Sequence, residues 1–236
     1  ASFIMIYIEV NILKRAALHN LGCKVNAYEL DIMQKALAES NFDIVPFDGE
    51  ADIYVINTCS VTNIADRKSR QMLHRCRKLS PTALVVACGC YAQESAEGLL
   101  EDGSVDLVIG NNEKSKVLEM VVQALADDGT GKILVDDLMQ CRDYEAQAIT
   151  NAGSHVRAYV KIQDGCNRFC SYCIIPFIRG RYRSREESSI IEEAEQLAAE
   201  GCKELIIIAQ DVTNYGRDLG KPDALPPLLK KLCLID

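Results

Sequence analysis

The sequence predicts an α/β protein, with a doubly wound parallel sheet followed by an incomplete (β/α) barrel. Two observations predict this fold class. Short apolar runs alternate with runs of helical periodicity, which is the pattern of parallel sheets, and the alternation breaks over 127–155 before it resumes. The 236 residues correspond to about 1.6 domains of typical length. We therefore predict a first domain over 1–126, a linker over 127–155 and a partial second domain over 156–236.

Four strands are predicted in the first domain from apolar runs of strand length. These runs are Lys14–Leu21, Ile53–Asn57, Ala83–Ala87 and Leu107–Ile109. A cysteine follows each of the first three runs within three residues: Cys23, Cys59 and Cys90. The carboxyl ends of neighbouring parallel strands meet at one edge of a sheet, so we expect these three thiols to lie close together.

Helices are predicted between these strands. Asn26 fits a helix N-cap with Glu29 as its capping-box partner. Three apolar residues then follow at helical spacing: Leu30, Met33 and Leu37. Asn63 fits the cap of the next helix, with Asp66 at the third position, and a further helix is predicted near Lys114–Ala126.

The linker and the second domain differ in pattern. Residues 127–155 are rich in turn-forming residues and hold one short strand candidate, Lys132–Val135. The second domain then repeats strand, helix, strand and helix over Ala158–Gln163, Ser188–Gly201, Glu204–Ala209 and Leu225–Cys233. A complete eight-unit barrel needs at least roughly 200 residues, so we expect this domain to stop part-way.

Composition excludes several classes of protein. The chain is 48% hydrophobic and 25% charged, as ordinary globular proteins are. No apolar run reaches the roughly 20 residues of a membrane span, and the apolar stretch 1–10 lacks the basic region and cleavage site of a signal peptide. The net charge of −8 predicts that any nucleic acid is bound through a local patch. An odd count of 11 cysteines indicates a reduced, cytoplasmic chain that binds a metal or a cluster.

The strongest motif is the run Cys166, Cys170 and Cys173, which sits in a loop after a predicted strand. Three thiolates on one loop can hold three irons of a 4Fe-4S cluster, whereas electron carriers close all four irons with four cysteines. The remaining iron keeps an open coordination position, as catalytic metals do. The alternative is a zinc site with a fourth ligand elsewhere, such as His155 or Cys141. The 3-then-2 spacing resembles that of the radical S-adenosylmethionine superfamily. This resemblance implies that S-adenosylmethionine chelates the open iron.

Cys23, Cys59 and Cys90 suggest a second three-ligand cluster with an open iron. Their spacing along the sequence fits equally well with three buried structural thiols. The remaining cysteines are expected to be ordinary thiols: Cys76, Cys141, Cys202 and Cys233.

Four stretches resemble the methylthiotransferase family of radical S-adenosylmethionine enzymes. Gly22–Glu29, Asn57–Thr62 and Gly89–Gln93 resemble its three cysteine motifs, and Gln163–Arg185 resembles its radical centre. The resemblance implies two 4Fe-4S clusters. One is an auxiliary cluster on Cys23, Cys59 and Cys90, and the other is the catalytic cluster on Cys166, Cys170 and Cys173. Cys88 stands where the family usually has another residue, so we expect it to be a bystander that could compete for iron.

The resemblance also implies a reaction and partners. A radical from S-adenosylmethionine removes hydrogen from an unactivated carbon, the auxiliary cluster delivers sulfur, and a second S-adenosylmethionine supplies the methyl group. An electron donor such as flavodoxin or ferredoxin is implied, and no membrane. The N-terminal motifs resemble the branch that modifies threonylcarbamoyladenosine in tRNA, next to the anticodon. Residues Ile207–Gly216 are more similar to the branch that modifies an aspartate of a small-subunit ribosomal protein. On this resemblance the chain is an N-terminal part of the enzyme, and an inactive truncated fragment that binds iron–sulfur clusters is the other alternative.

Weaker signals concern binding residues. Gln210, with Asn214 and Tyr215, follows a predicted strand and could line the S-adenosylmethionine pocket or form a turn. Four alternating arginines, if extended, would form a basic strip on one side of the chain: Arg179, Arg181, Arg183 and Arg185. A second basic stretch lies on a predicted helix, where a solvated charged face is the competing interpretation: Arg67, Lys68, Arg70, Arg75, Arg77 and Lys78.

Overall fold

A computed structural model describes residues 13–126, 131–145 and 156–235. The predictions made for the stretch 1–10 and for His155 lie outside the described residues, as do the parts of the linker between these ranges. No helix within the described ranges is long and apolar enough to cross a membrane.

The first domain is built on a six-stranded sheet in which every neighbouring pair is parallel. Its strands are β1 Arg15–Asn20, β2 Asp43–Ile44, β3 Ile53–Thr58, β4 Leu84–Gly89, β5 Leu107–Ile109 and β6 Lys132–Leu134, in the spatial order β2-β1-β3-β4-β5-β6. The four strands predicted for this domain are thereby confirmed, each within a few residues of its predicted ends. Strand β6 comes from the segment predicted as a linker and extends the sheet at the β5 edge.

Helices cover both faces of this sheet, so the doubly wound arrangement is confirmed. They are α1 Lys24–Glu39, α2 Asn63–Leu79, α3 Cys90–Glu94, α4 Ala96–Glu101 and α5 Val117–Ala126, with a short 3-10 turn at Lys114–Lys116 before α5. On one face Met33 and Leu37 of α1 pack with Val121 of α5. On the other face Leu73 of α2 and Leu99 of α4 form a second apolar layer.

The strand order reverses between β1 and β3, and ligands of open α/β sheets bind at such a reversal, outside the carboxyl ends of the strands. The register brings these ends level, since Asn20 pairs with Asn57 and Asn57 pairs with Cys88. The residues that follow β1, β3 and β4 therefore leave the sheet side by side.

Two predicted helix caps are wrong. Helix α1 begins at Lys24 with Cys23 at the N-cap, so Asn26 and Glu29 lie inside the helix, where both are buried. Their side chains bind residues that are distant in sequence and do not cap the helix. Helix α2 is capped by Thr62, whose side chain accepts a hydrogen bond from the Ala65 backbone amide, and not by its neighbour Asn63.

The second domain begins a β/α pattern. Its elements are β7 Arg157–Lys161, β8 Gln163–Asp164, α6 Ile175–Ile178, β9 Arg183–Ser184, α7 Glu187–Ala199, β10 Glu204–Ile208 and α8 Leu225–Leu232, with a 3-10 turn at Val212–Asn214. Strands β7 and β10 are parallel neighbours on either side of α7 in sequence, and β8 pairs with β9 in an antiparallel ladder. Each of the four predicted elements is present, and the incomplete barrel agrees with the prediction.

Helix α1 belongs to both cores. Its Met33 and Leu37 pack under the first sheet, whereas Val25 and Tyr28, one turn earlier, pack in the second core with Val160 of β7. The first turns of α1 therefore form part of the contact between the two domains, directly after Cys23.

Candidate functional site

Cys23, Cys59 and Cys90 lie at the carboxyl edge of the first sheet. Cys23 immediately precedes α1, Cys59 directly follows β3, and Cys90 begins α3 after β4. Burial raises the pKa of the Cys59 thiol. Asn26 links the first two positions, because its Oδ1 lies 3.8 Å from the Cys23 sulfur and its Nδ2 donates to the carbonyl of Thr58, directly before Cys59, at 2.9 Å. The topology therefore brings together three cysteines that are far apart in sequence.

Among the described residues, no group of three His, Cys, Asp or Glu side chains could hold a single metal ion. In a 4Fe-4S cluster each cysteine binds a different iron, so the sulfurs need not approach one another as closely as they do around zinc. A 4Fe-4S cluster is therefore compatible with this placement of the three thiols.

Cys88 does not share this edge. It is fully buried between the sheet and α1, where its Sγ donates a hydrogen bond to the Ile56 carbonyl at 3.5 Å and lies 3.9 Å from the Met33 sulfur. Burial raises the pKa of this thiol to about 12. Since metals bind the thiolate, Cys88 is poorly suited to compete for iron.

Cys166, Cys170 and Cys173 occupy the loop between β8 and α6. The Cys166 amide donates to the Gly180 carbonyl at 3.0 Å, and the Cys173 amide donates to the Cys170 carbonyl at 2.9 Å. Cys170 is exposed and the other two are partly exposed. The loop is thus held at its start by the segment after α6 and by a turn of its own at Cys170–Cys173, while its thiols remain accessible to a cofactor.

The two cysteine sets lie on elements that pack together. Helix α3, which begins with Cys90, contacts α6, which begins two residues after Cys173. Asn111 connects them, because its Nδ2 donates to the Ile178 carbonyl at 2.6 Å and lies 3.8 Å from the Cys90 sulfur.

A buried ion cluster lies at this contact between the domains. We use this name for five charged residues: Glu29, Lys114, Lys161, Asp164 and Arg179. All five are at most 4% exposed. Three cations face two anions, so the cluster carries a net charge of +1.

Glu29 is the centre of this ion cluster. It pairs with Lys114, with Lys161 at 2.9 Å, and with both guanidinium nitrogens of Arg179. Burial would raise the pKa of Glu29, but the three cations together hold it well below its ordinary value. Burial opposes ionisation of Asp164 as well, and its two neighbouring cations lower the pKa of that carboxyl to about 2.

Gln210 follows β10, and its side-chain oxygen is buried with no hydrogen-bond partner among the described residues. An orphaned acceptor of this kind fits the donor groups of a ligand. Asn214 and Tyr215 form a turn instead. Asn214 donates to Asp211, and Tyr215 is buried in the second core with its hydroxyl donating to the Arg185 carbonyl at 2.9 Å.

The predicted strip of four alternating arginines is wrong. Arg179 ends the short helix α6, and only Arg183–Ser184 is a strand, so the segment is not extended throughout. Arg179, Arg183 and Arg185 are buried. Arg183 donates to the carbonyls of Arg179 and Arg181, and Arg185 pairs with Glu193. These side chains bind the protein itself and are not available to phosphates.

The second basic stretch lies along α2, where the two ends of the helix differ. Near the carboxyl end, Arg75 pairs with Asp48 and Arg77 pairs with Asp106. Near Cys59, Arg67 and Lys68 are exposed, and neither has an acidic partner within the described part of the chain.

Sequence reasoning missed the residues that join the domains, namely Asn111, Lys114, Lys161 and Asp164. One signal was present, because Lys161 stands between the apolar residues Val160 and Ile162 in the predicted strand Ala158–Gln163. A charged side chain in a buried parallel strand needs a partner, so Lys161 could have been singled out. Asn111 and Lys114 follow the end of β5 and carry no such local signal.

Comparison with known families gives two separate matches along the chain. Residues 15–110 match the family described as uncharacterized protein family UPF0004, and residues 160–227 match the radical SAM superfamily. The first match contains Cys23, Cys59 and Cys90, and the second contains Cys166, Cys170 and Cys173.

Curated relatives carry two different descriptions. A protein of Aquifex aeolicus and one of Bacillus subtilis, both described as threonylcarbamoyladenosine tRNA methylthiotransferase MtaB, are 35% and 38% identical over 87% and 86% of this chain and 50% and 45% of their own lengths. A Thermoanaerobacter protein described as ribosomal protein uS12 methylthiotransferase RimO is 36% identical over 95% of this chain and 51% of its length. The chain spans about half the length of these relatives.

A solved structure shares the fold. The radical S-adenosylmethionine methyltransferase TsrM from Kitasatospora setae, with cobalamin and a [4Fe-4S] cluster bound, superposes with a TM-score of 0.58 at 15% identity, over 91% of this chain and 52% of that one. The likeness supports a parallel-sheet domain followed by a β/α domain.

Proposed function

Because the chain belongs to the methylthiotransferase family of radical S-adenosylmethionine proteins, we propose that it forms the part of an enzyme that replaces a hydrogen on its substrate with a methylthio group. The observation that carries this proposal is the packing of α3, which begins with Cys90, against α6, which begins two residues after Cys173. One three-cysteine loop alone would indicate only a generic radical enzyme.

Each group of residues has a proposed role. Cys166, Cys170 and Cys173 hold a 4Fe-4S cluster whose fourth iron takes S-adenosylmethionine, and the free acceptor of Gln210 binds that ligand. The auxiliary 4Fe-4S cluster is held by Cys23, Cys59 and Cys90. When bound, these groups supply one-electron chemistry and the sulfur atom, while the protein positions them and excludes side reactions.

We propose tRNA bearing threonylcarbamoyladenosine as the substrate. The N-terminal cysteine motifs and the two relatives described as tRNA enzymes support it. The unpaired Arg67 and Lys68 beside Cys59 support it too, because exposed cations without acidic partners suit a phosphate backbone. Methylthiolation of a ribosomal protein is the second candidate, favoured by the relative described as acting on uS12 and by the similarity over Ile207–Gly216. An electron donor such as flavodoxin or ferredoxin and a cytoplasmic setting complete the proposal.

Iron and sulfide content tests the two clusters. After anaerobic reconstitution we expect about eight irons per chain, falling to about four in the Cys166→Ala/Cys170→Ala/Cys173→Ala variant. The converse variant, Cys23→Ala/Cys59→Ala/Cys90→Ala, should also retain about four. About four irons in the unaltered chain and none in the first variant would remove the auxiliary cluster. A chain that binds both clusters but transfers no methylthio group to either substrate would leave the inactive-fragment alternative.

Salt dependence of tRNA binding tests the substrate. Loss of two phosphate contacts in the Arg67→Gln/Lys68→Gln variant should reduce the slope of log Kobs against log salt by about 1.4–1.8. The control is Lys203→Gln/Lys230→Gln, which removes the same charge from two exposed positions that have no acidic partner within the described residues. Equal slopes for the two variants would mean that α2 does not contact RNA. Binding of the ribosomal protein to the same two variants would then be measured.

A further inference from the structure

Arg179 carries charge from the second domain into the first. It follows Cys173 by six residues and ends α6, but its side chain is only 1% exposed because it enters the space beside α1. There its Nη2 donates to Asn26 Oδ1 at 2.5 Å and to Glu29 Oε2 at 3.1 Å. A residue of the radical domain thus ends among side chains of the other domain.

Asn26 connects this guanidinium to the thiols of the first domain. Its Oδ1 accepts from Arg179 and also lies 3.8 Å from the Cys23 sulfur, which can donate to it. Its Nδ2 donates to the Thr58 carbonyl at 2.9 Å, and Thr58 directly precedes Cys59. One amide side chain therefore joins Arg179 to the positions of two of the three cysteines.

The positive charge of the buried ion cluster is not fully neutralised. Glu29 and Asp164 balance only two of the three cations in the buried ion cluster, and arginine remains protonated in proteins. Water screens such a charge poorly when every member is buried. A net charge of +1 therefore acts on groups placed at the carboxyl edge of the first sheet.

We propose that Arg179 is a positioning residue that tunes the reduction potential of the cluster held by Cys23, Cys59 and Cys90. The inference rests on the proposed function, since it requires a cluster at those thiols. A nearby buried cation stabilises the more negative, reduced form of an iron–sulfur cluster, because net charge and hydrogen bonding set its potential. This cluster therefore reaches its working reduction potential only when the second domain is docked against the first.

The test isolates the first-domain cluster in the Cys166→Ala/Cys170→Ala/Cys173→Ala chain and measures its midpoint potential by spectroscopically monitored redox titration. We expect Arg179→Gln to lower the ratio of reduced to oxidised cluster about tenfold at a fixed potential, a shift of about −59 mV for one electron. Arg179→Lys keeps the charge and should restore most of the potential. Glu29→Gln removes an anion and should shift the potential in the opposite direction, and Arg179→Lys remains the test where Arg179→Gln folds poorly.

The matched control is Arg185→Gln. Arg185 is also buried and paired with a carboxylate, Glu193, but within the described part of the chain none of its hydrogen bonds leads to a cysteine. A similar potential change in this variant, or an unchanged potential in Arg179→Gln with full iron content, would overturn the role of Arg179 and leave the proposed function standing. A triple-alanine chain that binds no iron would overturn both.

Discussion

Replacing Glu29 with glutamine is expected to lower the free energy of unfolding by about 3–5 kcal/mol. The substitution leaves Lys114, Lys161 and Arg179 buried with Asp164 as the single remaining carboxylate. Breaking a buried ion pair by removing one partner is costly because the remaining charge has neither water nor a counterion. The measurement is urea denaturation of the iron-free, reduced protein.

Glu39 provides the control, because it lies on the same helix and its carboxylate pairs with Lys35 at the surface. Exposed helical pairs contribute about 0.3–0.5 kcal/mol, so Glu39→Gln should leave stability almost unchanged. If the two variants lost similar stability, Glu29 would not be the centre of a buried ion cluster.

Replacing Gly165 with alanine is expected to abolish iron binding by the adjacent loop of Cys166. Gly165 has φ +77°, and a Cβ at this position would lie 2.1 Å from the Arg181 carbonyl oxygen and 2.7 Å from that of Gly180. These are backbone atoms that cannot move aside without displacing the segment that receives the Cys166 amide. About four irons per chain should be lost, measured by iron content after reconstitution.

The matched control is Gly103→Ala. Gly103 also has a positive φ, +72°, but a Cβ there would meet nothing within 4 Å. The left-handed conformation alone costs a non-glycine residue about 1–2 kcal/mol, so this variant should be slightly less stable and keep its full iron content. Iron loss in both variants would point to backbone strain, and iron retention in Gly165→Ala would show that the loop can adjust.

Much of the fold follows from local pattern. Apolar runs such as Ile53–Thr58 are buried along their whole length, so their sequence carries the signal of a central parallel strand. The cysteines then follow from topology, because a residue placed just after such a strand must lie at the carboxyl edge. This is why Cys59 and Cys90 could be placed together before any coordinates were known.

The caps of α1 could not be predicted because a local pattern competed with distant partners. Asn26 and Glu29 have the spacing of a capping box, but Glu29 is bound by Lys114, 85 positions later, and by Arg179, 150 positions later. No sequence window contains these groups. The prediction of a basic strip was wrong for a related reason. Alternate residues share one side of the chain only where the backbone is extended, and Arg179 ends a helical turn.

The shared ion cluster also has a consequence for biosynthesis. Arg179 lies 150 positions after Glu29, so at typical translation speeds it leaves the ribosome about 8–30 s later. Lys114 follows Glu29 by 85 positions, so the first domain has Lys114 as its own counterion for Glu29 before Lys161 and Arg179 have been made. The contacts of α1 with the second domain form only afterwards, so translation itself sets a period in which iron can be delivered near Cys23 before that domain packs against α1.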